Sequence, residues 1–157
     1  MKVIVRGLVG LVLVTGMLFG VMLFGFRTQN PAILRGVRTM NKHGVNKSAI
    51  KTAGDAGSGS TRVEHRGRTS GTEYVTPIAA IPTDDGFVVV LPYGTQADWV
   101  RNVLHHGEAT FVHDGERVDV THPVLMHPRD IDQWFTPAAR RTNRLFGIER
   151  CLVVRRA

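Results

Sequence analysis

One long apolar segment opens the chain, and short apolar runs separated by polar turns follow it. Residues 7–26 read GLVGLVLVTGMLFGVMLFGF, twenty residues without a charge. At about 1.5 Å per helical residue this run spans about 30 Å, the thickness of the hydrocarbon core of a bilayer. A secretory signal is disfavoured, because its apolar region is usually ~7–15 residues long and residues 27–31 offer no small-residue cleavage pattern. We therefore predict a transmembrane anchor over residues 1–26.

The periodicity after residue 60 predicts a domain made mainly of strands. Runs of β-type residues bounded by turn signals predict strands, and Asp114-Gly115 predicts a tight hairpin turn. Gly107 should end a helix that begins near Asp98, with Thr95 as its N-cap, and Pro128 and Pro137 should open two more helical segments. The predicted strands are 61–66, 74–81, 87–91, 109–113, 116–126 and 149–155. Together these elements predict a mainly β (α+β) fold, a six-stranded split β-barrel with flanking helices, preceded by the transmembrane helix.

The segment between the anchor and this domain, residues 27–60, is basic and then rich in Gly and Ser. The spacing of Ile33, Leu34, Val37 and Met40 predicts a short amphipathic helix. Residues 53–60, AGDAGSGS, have the composition of a flexible linker. We therefore divide the chain into an anchor (1–26), a basic juxtamembrane segment with a Gly/Ser linker (27–60) and a cofactor-binding domain (61–157).

Charge is distributed unevenly along the chain, whose formal net charge is +7. Residues 1–51 carry eight Lys/Arg and no Asp/Glu, whereas residues 52–157 carry twelve Lys/Arg against thirteen Asp/Glu. A nucleic-acid partner is therefore disfavoured, since the folded part has no basic excess. Two basic residues precede the apolar run and six follow it. The positive-inside rule then predicts a single-pass protein of the cell membrane, its C-terminal domain cytoplasmic and membrane lipid among its partners.

The turn between the first two predicted strands has the chemistry of an anion site. Residues 65–77 read HRGRTSGTEYVTP, so arginines, glycines and hydroxyl residues share one turn. Backbone N–H groups, hydroxyls and guanidinium groups together suit a phosphate. We favour Arg68, with Thr69, Ser70 and the Gly71 N–H, over Arg66 as the cradle. An ordinary surface hairpin is the alternative.

Four spaced motifs resemble the deazaflavin-dependent nitroreductase family: GRTSG at 67–71, YVTP at 74–77, PYG at 92–94 and DWVRN at 98–102. The resemblance covers about residues 61–126 well and the C-terminal part loosely. It implies a split β-barrel related to the FMN-binding pyridoxamine-phosphate oxidase fold. It also implies an oxidoreductase that uses coenzyme F420, an 8-hydroxy-5-deazaflavin.

The resemblance also implies site residues. The deazaflavin ring should lie along Val90, Leu91, Pro92 and Tyr93, and Thr76 and Pro77 should border it. Tyr74, Gly94, Trp99 and Asn102 complete the expected cofactor-binding set, and Tyr93 is the candidate catalytic proton donor. Where members often have further basic residues, this chain has Thr69 and Tyr74. Where some have pocket tyrosines, it has Trp134 and Phe135, so we expect an apolar pocket there.

The predicted function is hydride transfer between reduced coenzyme F420 and an apolar acceptor, such as a quinone, an unsaturated lipid or a nitro compound. A non-catalytic F420-binding or sequestering protein is one alternative, and an FMN- or haem-binding split-barrel protein is another. No metal site is predicted, since the seven histidines form no His-x-x-x-His pair with a glutamate. A homodimer stays open. The single cysteine, Cys151, is predicted to be a buried apolar residue.

Overall fold

The computed structural model of the protein describes residues 2–40 and 49–157. Helices α1 (Lys2–Arg27) and α2 (Pro31–Met40) come first. The strands are β1 (Thr61–Arg66), β2 (Glu73–Ile78), β3 (Ala80–Thr83), β4 (Gly86–Val90), β5 (Glu108–His113), β6 (Glu116–Met126) and β7 (Cys151–Arg156). Helix α3 (Asp98–His106) lies between β4 and β5, and a 3₁₀ helix (Pro128–Trp134) and α4 (Pro137–Phe146) lie between β6 and β7.

All seven strands belong to one antiparallel sheet with the order β2-β1-β5-β6-β7-β4-β3. The two edge strands, β2 and β3, are separated along the chain by a single residue, Ala79. Consecutive Cα atoms are about 3.8 Å apart, so the edges must meet within about 7.6 Å at this point. The sheet therefore curls back on itself. Because β2 and β3 do not pair with each other in the described sheet, the result is a half-barrel with an open seam.

The strand count corrects the prediction of six strands. The run predicted as one strand, 74–81, forms two strands, because its first part pairs with β1 and its second part with β4. Periodicity shows that both parts are extended but does not show that they have different neighbours. The mainly β architecture with flanking helices, the Asp114-Gly115 hairpin turn and the end of α3 at Gly107 are as predicted. The N-cap is Ala97, without a side-chain bond, rather than the predicted Thr95.

Two apolar clusters hold the sheet between its helices. The interior cluster includes Val63, Phe87, Phe111 and Leu152, and the α3 residues Val100 and Val103 close it on one side. The second cluster, on the outer face, contains Val88, Ile131, Phe135 and Cys151. Adjacent β4 residues therefore serve opposite faces, which explains why residues 87–91 are apolar throughout.

The prediction of a transmembrane anchor is wrong. Within residues 2–40 and 49–157, no helix is both long and apolar enough to cross a bilayer. The last turns of α1 instead pack on the domain: the Phe26 side chain is 5% exposed, and its ring centroid lies 5.6 Å from that of Tyr93 and 5.7 Å from that of Phe146. Apolarity alone does not tell a bilayer from a protein surface. The predicted localisation in the cell membrane, with a cytoplasmic domain, is overturned with the anchor.

Residues 53–60, predicted to be a linker, lie against the β5–β6 hairpin. The Gly115 N–H donates to the Gly54 carbonyl at 2.6 Å, and the Gly57 N–H donates to the Asp114 carboxylate at 2.7 Å. A Cβ at Gly54 would stand 2.9 Å from the Val112 carbonyl, and Gly54 has φ +88°. The glycines therefore allow this segment to lie directly on the strand. Helix α2 forms as predicted, with Leu34 buried.

Candidate functional site

A six-residue loop, residues 67–72, joins β1 to β2 at the tip of their hairpin. The Gly67 N–H donates to the Thr72 carbonyl at 2.8 Å, and the Gly71 N–H donates to the Gly67 carbonyl at 2.9 Å. Gly71 has φ +68°, a conformation that glycine adopts without strain. The predicted use of the Gly71 N–H for a phosphate therefore meets a competing bond within the loop. Thr69 and Ser70 are exposed, and the Ser70 hydroxyl lies 3.5 Å from the Tyr74 hydroxyl.

The Arg68 side chain lies between this loop and the first turns of α3. Its guanidinium donates to one carboxylate oxygen of Asp98, with Nη1 at 3.2 Å and Nη2 at 3.3 Å. Nη1 also lies 2.9 Å from Oδ1 of Asn102. About a quarter of the Arg68 side chain is exposed, against 76% of that of Asp98. A fixed cation thus faces solvent at the mouth of the loop.

Arg66, the second predicted cation, lies on the other face of β1. The inward positions of this strand are Thr61, Val63 and His65, whereas Arg66 is exposed and stands opposite Glu73 in the hairpin register. The loop that follows carries Arg68 to α3, which packs over the inward face. The two arginines therefore do not converge on one point, and Arg68 is the one held in the network described next.

Asn102 and His65 continue the network from Arg68 into the domain. Asn102, 4% exposed, accepts the Arg68 backbone N–H at 3.2 Å, and its Nδ2 lies 3.1 Å from Nδ1 of His65. Nε2 of His65 lies 3.1 Å from the Thr76 hydroxyl oxygen. The His65 ring also stacks on Tyr74, with centroids 5.9 Å apart and planes inclined by 24°. The structure therefore brings together four predicted site residues, Arg68, Tyr74, Thr76 and Asn102, around His65.

His65 was not among the predicted site residues. It is 7% exposed, and burial lowers the pKa of its imidazole below the ordinary value of 6.5, while the nearby Asp98 carboxylate acts in the opposite direction. The alternation of inward and outward residues along β1 predicts from the sequence that His65 points inward. Its hydrogen bond to Asn102 cannot be predicted in this way, because Asn102 lies 37 residues further along the chain.

Of the residues predicted to line the ring, Val90 is the last residue of β4, and Leu91, Pro92 and Tyr93 form the bend after β4 together with Gly94. Leu91 is 5% exposed and belongs to the interior cluster, and its N–H donates to the Arg150 carbonyl at 3.1 Å. The Gly94 N–H donates to the Leu91 carbonyl at 3.0 Å. Both N–H groups are therefore engaged within the fold. Thr76 and Pro77 pair with β1, and Ala80, three residues after Pro77, pairs with Val89 of β4.

A pocket of about 300 Å³ opens beside this bend, between α1 and α4. Its lining is mostly apolar and consists of Met22, Phe26, Pro92, Tyr93, Thr142, Asn143, Phe146 and Ile148. Asn143 is 8% exposed, and its Nδ2 has no hydrogen-bond partner in the described part of the chain. A buried amide without a partner is costly, so Asn143 would gain from an oxygen acceptor brought within reach of its Nδ2.

Trp134 and Phe135, predicted to shape an apolar pocket, lie elsewhere. Both pack in the outer-face cluster with Val88, Ile131 and Cys151. The aromatic residue that the C-terminal helix contributes to the pocket beside Tyr93 is Phe146. Trp99 is half-buried and packs against the interior cluster.

The described residues contain no metal-binding cluster and no exposed cysteine. No three His, Cys, Asp or Glu side chains within residues 2–40 and 49–157 lie close enough to hold a metal ion. Cys151 is fully buried, and burial raises the pKa of its thiol to about 12.

Comparison with known proteins is informative at the level of the fold. No protein-family model and no curated protein matches the sequence. A solved structure described as a domain-swapped dimer aligns with a TM-score of 0.51 and 13% identity, covering 76% of this chain and 97% of that one. Weaker alignments include an F420-H2 dependent reductase, FDR-A (TM-score 0.48, 13% identity, 61% of this chain and 93% of that one). Another is a Clostridium acetobutylicum protein of the pyridoxinephosphate oxidase family, related to general stress protein 26 of Bacillus subtilis (TM-score 0.45, 12% identity, 70% and 80%). At such identities the first likeness supports the fold alone.

Proposed function

We propose that this protein is an oxidoreductase that binds a deazaflavin of the coenzyme F420 type and passes a hydride from it to a small apolar acceptor. The observation that carries the proposal is the convergence of three of the four motifs of the sequence. The loop GRTSG and the helix start DWVRN are joined by Arg68 and Asn102, and YVTP enters the same network through Thr76. PYG lies at the bend after β4, which leads into α3.

The loop fits the phosphate-bearing tail of such a cofactor. Arg68 offers a guanidinium held in place by two neighbours and still partly exposed, and the hydroxyls of Thr69 and Ser70 are exposed beside it. A preorganised arginine binds an anion with less loss of side-chain entropy than a free one. Asp98 opposes this binding in part, because the phosphate must share the guanidinium with its carboxylate.

The bend after β4 and the pocket beside it fit the ring of the cofactor, which is the part that reacts, and the acceptor. The cofactor, when bound, supplies the hydride chemistry. Pro92 and Tyr93 line the pocket together with the apolar rings of Phe26 and Phe146. In this site Tyr93 is the candidate proton donor, and the Asn143 amide is placed to orient an acceptor oxygen. Quinones and nitroaromatic compounds combine an apolar body with such an oxygen.

The test is a titration followed by a turnover assay on the full chain. Coenzyme F420 and FMN are titrated separately, with the fluorescence of Trp99 and Trp134 as the readout. Oxidation of reduced F420 is then followed with a quinone and with a nitroaromatic acceptor. We expect tighter binding of F420 than of FMN and oxidation faster than in buffer, reduced in Tyr93→Phe. Phe24→Leu is the matched control, since it changes an exposed aromatic side chain of α1 outside the pocket lining.

Two outcomes would replace the proposal. Tighter binding of FMN would make this a flavin protein of the same fold. Tight F420 binding without oxidation of the reduced cofactor by either acceptor would make it a binding or sequestering protein.

A further inference from the structure

The hydrogen bonds around Asn102 fix which atom of its amide is the oxygen. Two groups of Arg68 that can only donate, the backbone N–H and Nη1, lie 3.2 Å and 2.9 Å from the same atom of Asn102. An amide nitrogen cannot accept either bond, so this atom is Oδ1. The other amide atom, Nδ2, is therefore the one that faces His65.

This orientation decides the tautomer of His65. Nδ2 of Asn102 can only donate a hydrogen bond, and it lies 3.1 Å from Nδ1 of His65. Nδ1 must then carry a lone pair, and the neutral ring carries its hydrogen on Nε2. That N–H points to the Thr76 hydroxyl oxygen at 3.1 Å. Thr76 therefore accepts from His65, and its own hydrogen is left for another acceptor.

We propose that His65 is a positioning residue of the cofactor site: as the neutral Nε2–H tautomer it orients the half-buried Thr76 hydroxyl as a donor toward an acceptor oxygen or nitrogen of the bound cofactor. The inference rests on the proposed function for the identity of the ligand. The donors run in one direction, from the Arg68 cation through Asn102 and His65 to Thr76. Bonds aligned in this way polarise one another, which strengthens the last donor.

Protonation of His65 breaks one bond of this series. An imidazolium keeps its Nε2–H toward Thr76 but presents Nδ1–H to the Asn102 amide hydrogens, so two donors face each other and the ring loses the bond that holds it in place. The charged groups around the ring are the Asp98 carboxylate and the Arg68 guanidinium, and the Tyr74 phenol stacks on it. The Asp98 charge favours the imidazolium, while burial opposes it. Cofactor affinity should therefore fall as the pH falls through the folded-state pKa of His65, which lies below 6.5.

The first experiment reads the tautomer directly in the apo protein. Two-bond ¹H–¹⁵N correlation spectra of ¹⁵N-histidine-labelled protein at pH 7.5 distinguish a protonated Nδ1 from a protonated Nε2, and His65→Gln identifies the signals. We expect the Nε2–H form. An Nδ1–H form, or a ring that is already protonated, overturns the proposal. No cofactor is needed, so this result stands apart from the failure or success of the proposed function.

The second experiment measures the hydroxyl that His65 positions. Coenzyme F420 is titrated into Thr76→Val, Thr76→Ser and the control Thr83→Val, which changes a strand threonine at the far end of the β3–β4 hairpin. Loss of one neutral hydrogen bond corresponds to about a 2- to 12-fold weaker affinity. We expect this loss in Thr76→Val only, with the hydroxyl of Thr76→Ser restoring binding.

The pH profile separates positioning from a purely structural role. Affinity of the unchanged protein for coenzyme F420 should fall between pH 7.5 and pH 5. The ratio of this affinity to that of Thr76→Val should approach one at low pH, because a ring released from Asn102 no longer holds the Thr76 hydroxyl in position. In His65→Gln, Thr76→Val should cost less than in the unchanged protein. A ratio independent of pH, or an equal cost of Thr76→Val in both backgrounds, would refute the positioning role.

Discussion

Arg68→Ala tests the anion cradle most directly. The substitution removes the guanidinium but keeps the backbone N–H that donates to Oδ1 of Asn102 at 3.2 Å. Asn102 therefore remains hydrogen-bonded and holds its orientation toward His65. The lost pair with Asp98 involves a carboxylate that is 76% exposed, so it contributes only about 0–1 kcal/mol to the free energy of unfolding.

The expected loss in cofactor binding is larger than the loss in stability. A charge-assisted hydrogen bond contributes about 1.5–3 kcal/mol, which corresponds to about a 10- to 150-fold weaker affinity for coenzyme F420. Arg66→Ala should have a much smaller effect, since Arg66 is exposed on the opposite face of β1. Arg101→Ala removes an exposed arginine of α3 and serves as a second control.

Titration with two ligands identifies the group that Arg68 binds. Each variant is titrated with coenzyme F420 and with 8-hydroxy-5-deazariboflavin, which has the same ring system without the phosphate tail. Arg68→Ala should weaken binding of the first ligand much more than binding of the second. Thermal unfolding of each variant confirms that the comparison is made between folded proteins.

Two results would refute the reasoning. Equal losses for both ligands would mean that Arg68 acts by supporting the site rather than by binding phosphate. Equal losses in Arg66→Ala and Arg68→Ala would mean that the tail follows the outer face of the hairpin.

Three further predictions concern stability and reactivity. Because burial lowers the pKa of His65 in the folded state, the unfolded chain binds the proton more tightly. The contribution of His65 to the free energy of unfolding should therefore be fully present above about pH 6.5 and be lost as the pH drops through the folded-state pKa. Urea unfolding of His65→Gln should show a smaller decrease in the free energy of unfolding over the same pH range. Gly86→Ala should lower the free energy of unfolding by about 1–3 kcal/mol, since its Cβ would run into the Val154 carbonyl of the paired strand. Thermal unfolding beside Gly36→Ala, at a position of α2 with open space, checks this. Cys151, with a thiol pKa of about 12, should react with a thiol reagent in urea and not in native buffer, and prompt native labelling would contradict its burial.

The elements that local chemistry defines could be predicted from the sequence. Asp114 and Gly115 adopt positive φ values of 51° and 82°, as their residue types favour, and Gly107 ends α3 in the left-handed conformation. The apolar pattern of residues 87–91 follows from burial on both faces. In each case the deciding interaction lies within a few residues along the chain.

Features decided by distant partners could not be predicted in this way. The pairing of residues 80–83 with β4 rather than β1 depends on how the sheet curls. The packing of Phe26 on Tyr93 and Phe146 joins parts of the chain far apart in sequence, so residues 7–26 alone suggest a bilayer. The role of His65 could not be predicted either, because it depends on the hydrogen bond to Asn102, which is distant in sequence.

The position of β7 between β6 and β4 has a consequence for the order of folding. Hairpins β1–β2, β3–β4 and β5–β6 join neighbours in sequence, and β1 pairs with β5 to complete one part of the sheet. In the described sheet, β7 alone pairs with both this part and the β3–β4 hairpin. Its partners in β4 lie far before it in the sequence, and such non-local pairing is typical of folding in milliseconds to seconds. The two parts of the sheet therefore lack a shared strand until residues 151–156 have been synthesised and inserted between them.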